Sequence, residues 1–174
     1  NRVDAASHIG VARDLYAYLK HNNIPCKLNI PDVSAFAEGE GEAIPVEVAA
    51  VDGAPRYTGT TIKGVKVAAS PEWLQKKLLA IGLRPINNIV DITNFVLHEI
   101  GQPLHAFDAA KITGGKVVVR RAEEGEKFVT LDGVERTLSA ADLMIANTEK
   151  SMCLAGVFGG EESGVTDTTV DVFL

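Results

Sequence analysis

The chain has 174 residues, of which 46% are hydrophobic and 6% aromatic, so it can bury a sizeable aliphatic core without a disulfide or a metal. Its formal net charge is −6, with 17 basic against 23 acidic residues, which argues against a surface that holds duplex nucleic acid by neutralising phosphates. Any contact with nucleic acid is therefore expected to be local, at an end or a loop.

The cysteines and the ends of the chain further restrict the class of protein that this sequence can represent. Cys26 and Cys153 are far apart and neither has a histidine at ligand spacing, so no zinc site and no disulfide are expected. No apolar run of transmembrane length and no signal-peptide pattern occurs, which predicts a cytoplasmic protein. The chain lacks an initiating Met and stops in "TTVDVFL", which reads as a strand, so we expect an internal piece of a longer polypeptide.

The first predicted element is an amphipathic helix capped by Asp4, with apolar residues at three- and four-residue spacing up to Leu19 and a stop at Asn22-Asn23. Residues 31–44 are rich in Pro, Gly, Ala and Glu, and we expect a flexible loop there, within one module that spans 1–174. Three short segments rich in β-branched residues follow and are predicted as strands: 44–51, 57–64 and 65–69.

Two further helices are predicted in the middle of the chain. "SPEWLQKKLLAIG" has Ser70 as its expected N-cap and Gly82 as its stop. "NNIVDITNFVLHEIG" ends at Gly101 and places four aliphatic side chains on one helical stripe, Ile89, Ile92, Val96 and Ile100.

The remainder is predicted to be mostly strands. "KVVVRRA", "DLMIA" and "MCLAGVFGG" each read as one strand, and "EKFVTLDGVERTL" reads as a hairpin. Its turn is placed at Asp132-Gly133, a dipeptide typical of two-residue turns in which both central residues have positive φ. Helices come early and strands late, so we expect an α+β fold with a mixed or antiparallel, partly barrel-like sheet and flanking helices.

Two features are candidates for chemistry. His105 follows a Gly-Gln-Pro bend, and Pro85 restrains Arg84, so both side chains leave rigid backbone and could face one cleft if the intervening helix folds back. A single loop histidine is nevertheless more often structural than catalytic. "AGVFGGEESG" would let a ligand approach the backbone, but it matches neither a phosphate-binding loop nor a dinucleotide fingerprint. Taken alone, its glycines therefore indicate a tight bend.

Three stretches nevertheless carry a family resemblance. "NRVDAASHIGVARDLYAYL", "GLRPINNIVDITNFVLHEIGQPLHAFDAAKI" and "CLAGVFGGEESGV", in this order, resemble the B3/B4 region of the bacterial phenylalanyl-tRNA synthetase β subunit. The resemblance implies an editing module that hydrolyses tyrosine wrongly esterified to the phenylalanine tRNA. It places Arg84 and His105 in the editing cleft as catalytic residues, and it assigns substrate binding to four more residues: Thr93, Asn94, Pro103 and Gly159.

The same resemblance predicts the partners. These are the 3′ end of tRNA(Phe) and, through the full β chain, the synthetase α subunit, with no membrane. It implies no cofactor or metal in this stretch, and ATP and Mg²⁺ elsewhere in the full enzyme. A glutamate that recognises the phenol would follow Leu174, so the isolated stretch is expected to deacylate poorly. The alternative is a non-catalytic module that binds tRNA or a subunit and has an inactive cleft.

Overall fold

The computed structural model describes residues 2–174, which form two compact units. The first unit runs to Gly41 and resumes over Ala69–Leu104, and the second comprises Glu42–Ala68 and His105–Leu174. The α-helices of the described residues belong to the first unit and the β-strands to the second. This segregation confirms the predicted α+β class. Within the described range, no helix is both long and apolar enough to cross a bilayer.

The first helix, α1, spans His8–His21 and ends at Asn22, as predicted. Its N-cap is Ser7, whose hydroxyl accepts a hydrogen bond from the Gly10 N–H at 3.0 Å. The predicted cap, Asp4, is wrong: it lies in the 3-10 turn Val3–Ala5 and forms a salt bridge with Arg2. The serine, directly before the first helical residue, is the group that reaches the free N–H groups.

Helix α2 spans Glu72–Ala80, and Pro71 occupies its N-cap position without a side-chain cap. The predicted cap, Ser70, is wrong because its hydroxyl donates instead to Asp91 Oδ2 at 2.5 Å. The Asp91 side chain is fully buried, and its second oxygen accepts the Ile86 N–H at 2.8 Å. A buried carboxylate needs such partners, and this need overrides the local preference for a cap.

Helix α3 spans Asn88–Ile100 and matches its prediction at both ends. Asn87 caps it by accepting hydrogen bonds from two backbone N–H groups, and Gly101 ends it in the left-handed conformation, with φ of 81°. Two members of the aliphatic stripe, Ile92 and Ile100, are 47% and 45% exposed. The buried positions of this helix are Asp91, which is 0% exposed, and Thr93, which is 8% exposed.

The second unit contains ten short strands. They are β1 Val46–Val48, β2 Thr61–Ile62, β3 Phe107–Asp108, β4 Val117–Arg121, β5 Lys127–Val129, β6 Glu135–Thr137, β7 Leu143–Ala146, β8 Ser151–Leu154, β9 Phe158–Gly159 and β10 Val172–Phe173. One five-stranded sheet has the order β1-β4-β7-β8-β9, a second has the order β2-β10-β3, and β5 pairs with β6.

These sheets are mixed, because β1 runs parallel to β4 while the other strand pairs are antiparallel. Each sheet of the described residues has two ends and none closes on itself, so the partly barrel-like arrangement is not confirmed. The main core lies on the five-stranded sheet and continues to β3 and β10. Its buried members are Phe107, Ile112, Val117, Val119, Ile145, Met152, Cys153 and Phe173.

Two strand predictions differ from the structure, and one loop prediction agrees with it. Residues 65–69 are not a strand, although the Val65 N–H donates to the Val170 carbonyl at 2.7 Å. The stretch 152–160 holds parts of two strands, β8 and β9, because the chain reverses at Gly156, where φ is 72°. Residues 31–44 contain neither helix nor strand, in agreement with a loop, and their flexibility stays a prediction.

The β5–β6 hairpin lies where it was predicted, but its turn differs. Gly133 has φ of 73°, whereas Asp132 does not have a positive φ. The turn extends from Thr130 to Val134, with Gly133 N–H donating to the Thr130 carbonyl and Thr130 N–H to the Val134 carbonyl. The Asp132 carboxylate accepts bonds from the Thr130 hydroxyl and the Val134 N–H, so the aspartate stabilises the turn through its side chain.

Candidate functional site

His105 begins the second stretch of the strand-containing unit and lies two residues before Phe107, the first residue of strand β3. Side chains two residues apart in extended backbone point to the same side, and the rings of His105 and Phe107 meet edge to face with centroids 4.5 Å apart. Phe107 is 1% exposed and belongs to the main core. The imidazole is therefore fixed against a rigid neighbour and is not a mobile surface group.

Gly159, at the end of β9, lies directly against this imidazole. A Cβ atom added to Gly159 would be 2.5 Å from His105 Cε1 and 3.0 Å from His105 Nε2. Real Cβ atoms do not approach other atoms so closely, and φ of Gly159 is not in the positive range. Glycine is required here for space and not for backbone conformation, because a larger residue would displace the ring.

The electrostatic state of His105 follows from its burial. Its Nε2 atom is shielded from solvent and has no hydrogen-bond partner among residues 2–174. Burial lowers the pKa of His105 below its ordinary value of 6.5, because the charged form loses hydration. The ring is therefore neutral at pH 7. A buried nitrogen without a partner costs free energy, so a polar group brought to it by a ligand would be stabilised.

Leu131 is a further neighbour that the sequence reasoning missed. Its Cδ1 atom is 2.9 Å from the same Cβ position on Gly159, and its N–H donates to the Gly159 carbonyl at 2.9 Å. The only sequence signal near it is the Asp132-Gly133 turn, which places Leu131 at a hairpin tip without indicating its contact. We call His105, Phe107, Leu131 and Gly159 the His105 site.

The other four predicted site residues belong to the helical unit. Thr93 and Asn94 are neighbours on α3; Thr93 is 8% exposed and its hydroxyl donates to the Val90 carbonyl at 2.7 Å. Arg84 and Pro103 are both exposed and lie beyond opposite ends of this helix, which is about 20 Å long at 1.5 Å per residue. The structure thus brings His105 and Gly159 into contact and places Arg84 and Pro103 a helix length apart.

Comparison with known proteins shows the family to which this fold belongs. Residues 53–174 match the family model described as the B3/4 domain. The chain belongs to the B3/4 domain family.

Two curated proteins of high sequence identity show which kind of family member the chain resembles. Over 175 aligned positions the chain is 61% identical to the phenylalanine–tRNA ligase beta subunit of Bacteroides fragilis, with 100% of this chain and 21% of that protein covered. It is 58% identical to the same subunit of Porphyromonas gingivalis, with the same coverage. The chain therefore spans about a fifth of the length of these curated relatives.

One solved structure supports the fold. The chain resembles the crystal structure of an N-terminal fragment of the phenylalanyl-tRNA synthetase beta subunit from Pyrococcus horikoshii, with a TM-score of 0.57 and 20% identity. The match covers 99% of this chain and 51% of that chain. At this identity the likeness shows a shared fold.

Proposed function

We propose that this chain is the B3/B4 editing module of a phenylalanine–tRNA ligase β subunit and that it hydrolyses tyrosyl-tRNA(Phe). The observation that carries the proposal is the contact between His105 and Gly159, with a neutral imidazole whose buried Nε2 has no partner in residues 2–174. The B3/4 family membership and the β-subunit relatives support it.

The substrate discrimination rests on one hydroxyl group. Phenylalanine and tyrosine differ only by the phenol oxygen, and a pocket built for the smaller ring excludes an added hydroxyl imperfectly. A second site that forms hydrogen bonds with that hydroxyl disfavours phenylalanine strongly, because its own buried polar groups would then stay unpaired. The Gly159 backbone is assigned this contact, since the absence of a side chain lets a ligand approach closely.

Hydrolysis breaks the bond between the aminoacyl carbonyl carbon and the ribose oxygen of the tRNA. A water oxygen adds to the carbonyl carbon, and the ribose oxygen leaves with a proton. A neutral histidine can accept a hydrogen bond from that water or from the terminal ribose and so orient the reacting groups. We assign this role to His105, whose pKa is held low by burial.

The remaining residues are assigned to binding. Thr93, Asn94 and Pro103 would contact the aminoacyl group, and Arg84, which is exposed, would contact the terminal phosphate or adenosine. A chain with a net charge of −6 can serve this purpose because it binds only the 3′ end of the tRNA.

The setting of the module follows from the same proposal. In this proposal the rest of the β chain and the α subunit complete a cytoplasmic enzyme, and other parts of that enzyme bind the body of the tRNA. ATP and Mg²⁺ are proposed to bind to other parts of that enzyme as well. Among residues 2–174 the structure has no group of three or more His, Cys, Asp or Glu that could hold a metal ion.

The test is deacylation of tyrosyl-tRNA(Phe) by the full-length enzyme, both subunits present. We expect His105→Ala to lower the rate on the order of 100-fold and Arg84→Ala to lower it through weaker tRNA binding. His21→Ala, at the exposed end of α1, is the matched control and should leave the rate unchanged. Rates equal to the unmodified enzyme in both test variants would support the non-catalytic alternative.

A further inference from the structure

The His105 site is closed to solvent at the atom on which its chemistry depends. Nε2 is shielded, and its neighbours Phe107 and Gly159 are buried parts of the sheet unit. Leu131 differs from them, because it is 52% exposed and yet contacts the site. A Cβ atom added to Gly159 would lie within 3.0 Å of Leu131 Cδ1 and of both Cε1 and Nε2 of His105. The leucine side chain and this edge of the imidazole therefore converge on the same point above Gly159.

We propose that Leu131 is a further residue of this site, whose side chain covers the Cε1–Nε2 edge of His105 and turns toward solvent to admit a substrate or a water molecule. This inference rests on the proposed function for its substrate, but the covering contact itself does not depend on that function. A half-exposed leucine can change rotamer on the nanosecond timescale, whereas the buried Phe107 cannot leave the core without local unfolding.

The backbone that carries Leu131 is held firmly, which limits the motion to the side chain. The Arg136 guanidinium donates to the Thr130 hydroxyl and to Asp132 Oδ2, each at 3.1 Å. The Asp132 carboxylate also accepts the Thr130 hydroxyl, and the Leu131 N–H is bound to the Gly159 carbonyl. A hairpin fixed in this way keeps the leucine opposite His105 in both the covered and the open arrangement.

The proposal is tested by the reactivity of individual histidines toward diethyl pyrocarbonate, which modifies accessible neutral imidazole nitrogens, with each site followed by peptide mass spectrometry. We expect Leu131→Ala to raise the modification rate of His105 by about tenfold, because the cover is removed. Leu131→Met should keep the slow rate, since methionine fills a similar volume. Val134→Ala, a 46% exposed residue of the same hairpin, is the control for general loosening and should also keep it.

An unchanged His105 rate in Leu131→Ala, or an equal rise in Val134→Ala, would overturn the inference. Thermal unfolding of each variant shows whether the hairpin is intact. Deacylation by the full-length enzyme separates the two proposals: if His105→Ala leaves deacylation unchanged while Leu131→Ala exposes His105, the proposed function fails and the covering role stands.

Discussion

Gly159→Ala perturbs the His105 site at its tightest point. The new methyl group would be 2.5 Å from His105 Cε1 and 2.9 Å from Leu131 Cδ1. Ordinary contacts between carbon atoms are about 3.5–4.0 Å, so the imidazole has to retreat by about 1 Å. It is packed against Phe107, which is fixed in the core, and this makes the retreat costly.

Overpacking of this kind costs about 1–3 kcal/mol of unfolding free energy. A matched control is Gly125→Ala, where φ is 80° and no heavy atom lies within 4 Å of the added Cβ. Its cost comes from the left-handed backbone alone and is about 1–2 kcal/mol. The two variants should therefore lose similar stability for different reasons, and only Gly159→Ala moves the imidazole.

Two assays separate these effects. Urea denaturation gives the unfolding free energy of each variant, and deacylation of tyrosyl-tRNA(Phe) by the full-length enzyme measures function. A displacement of about 1 Å can cost on the order of 100-fold in rate, which we expect for Gly159→Ala, while Gly125→Ala keeps the normal rate when fully folded. Equal rates in the two folded variants would refute the role of the His105–Gly159 contact.

Three further predictions concern stability. Ser70→Ala should cost about 1.5–3 kcal/mol in urea denaturation, because it removes the hydrogen bond from the Ser70 hydroxyl to the buried Asp91 carboxylate. A cost near zero would contradict that account. Burial opposes the charged form of Glu126, but hydrogen bonds from Arg120 and other groups lower the pKa of this carboxyl to about 2. The resulting stabilisation of the fold is present above about pH 4.5 and should be lost as pH falls toward 2. Glu126→Gln should abolish this pH dependence of the unfolding free energy. Burial lowers the pKa of His105, so this side chain binds a proton more readily in the unfolded protein. The unfolding free energy should therefore decrease as pH falls below about 6.5. An identical decrease in the His105→Gln variant would contradict this prediction.

Local signals in the sequence predicted the helices well and the caps less well. Asn87 and Gly101 define α3 because capping and the left-handed stop depend on adjacent backbone. Ser70 failed as a cap because Asp91, 21 residues away, binds its hydroxyl. The position of a distant buried carboxylate has no local signature, so propensity alone could not reveal this bond.

In the His105 site, too, some residues could be predicted from a local sequence motif and others only from the folded structure. The family resemblance singled out His105 and Gly159, and their contact joins residues that are 54 positions apart in the sequence. Leu131 has no motif of its own, because an apolar residue before a turn is common in hairpins. Its relation to His105 is visible only once the sheet is formed.

A structure of the full-length enzyme with tyrosine bound to the β subunit tests the central claim most directly. The account predicts the phenol oxygen within hydrogen-bonding distance of the Gly159 backbone, the Leu131 side chain turned toward solvent, and His105 Nε2 in contact with the ligand or a bound water. Tyrosine bound elsewhere on the subunit, with Leu131 still covering His105, would contradict it.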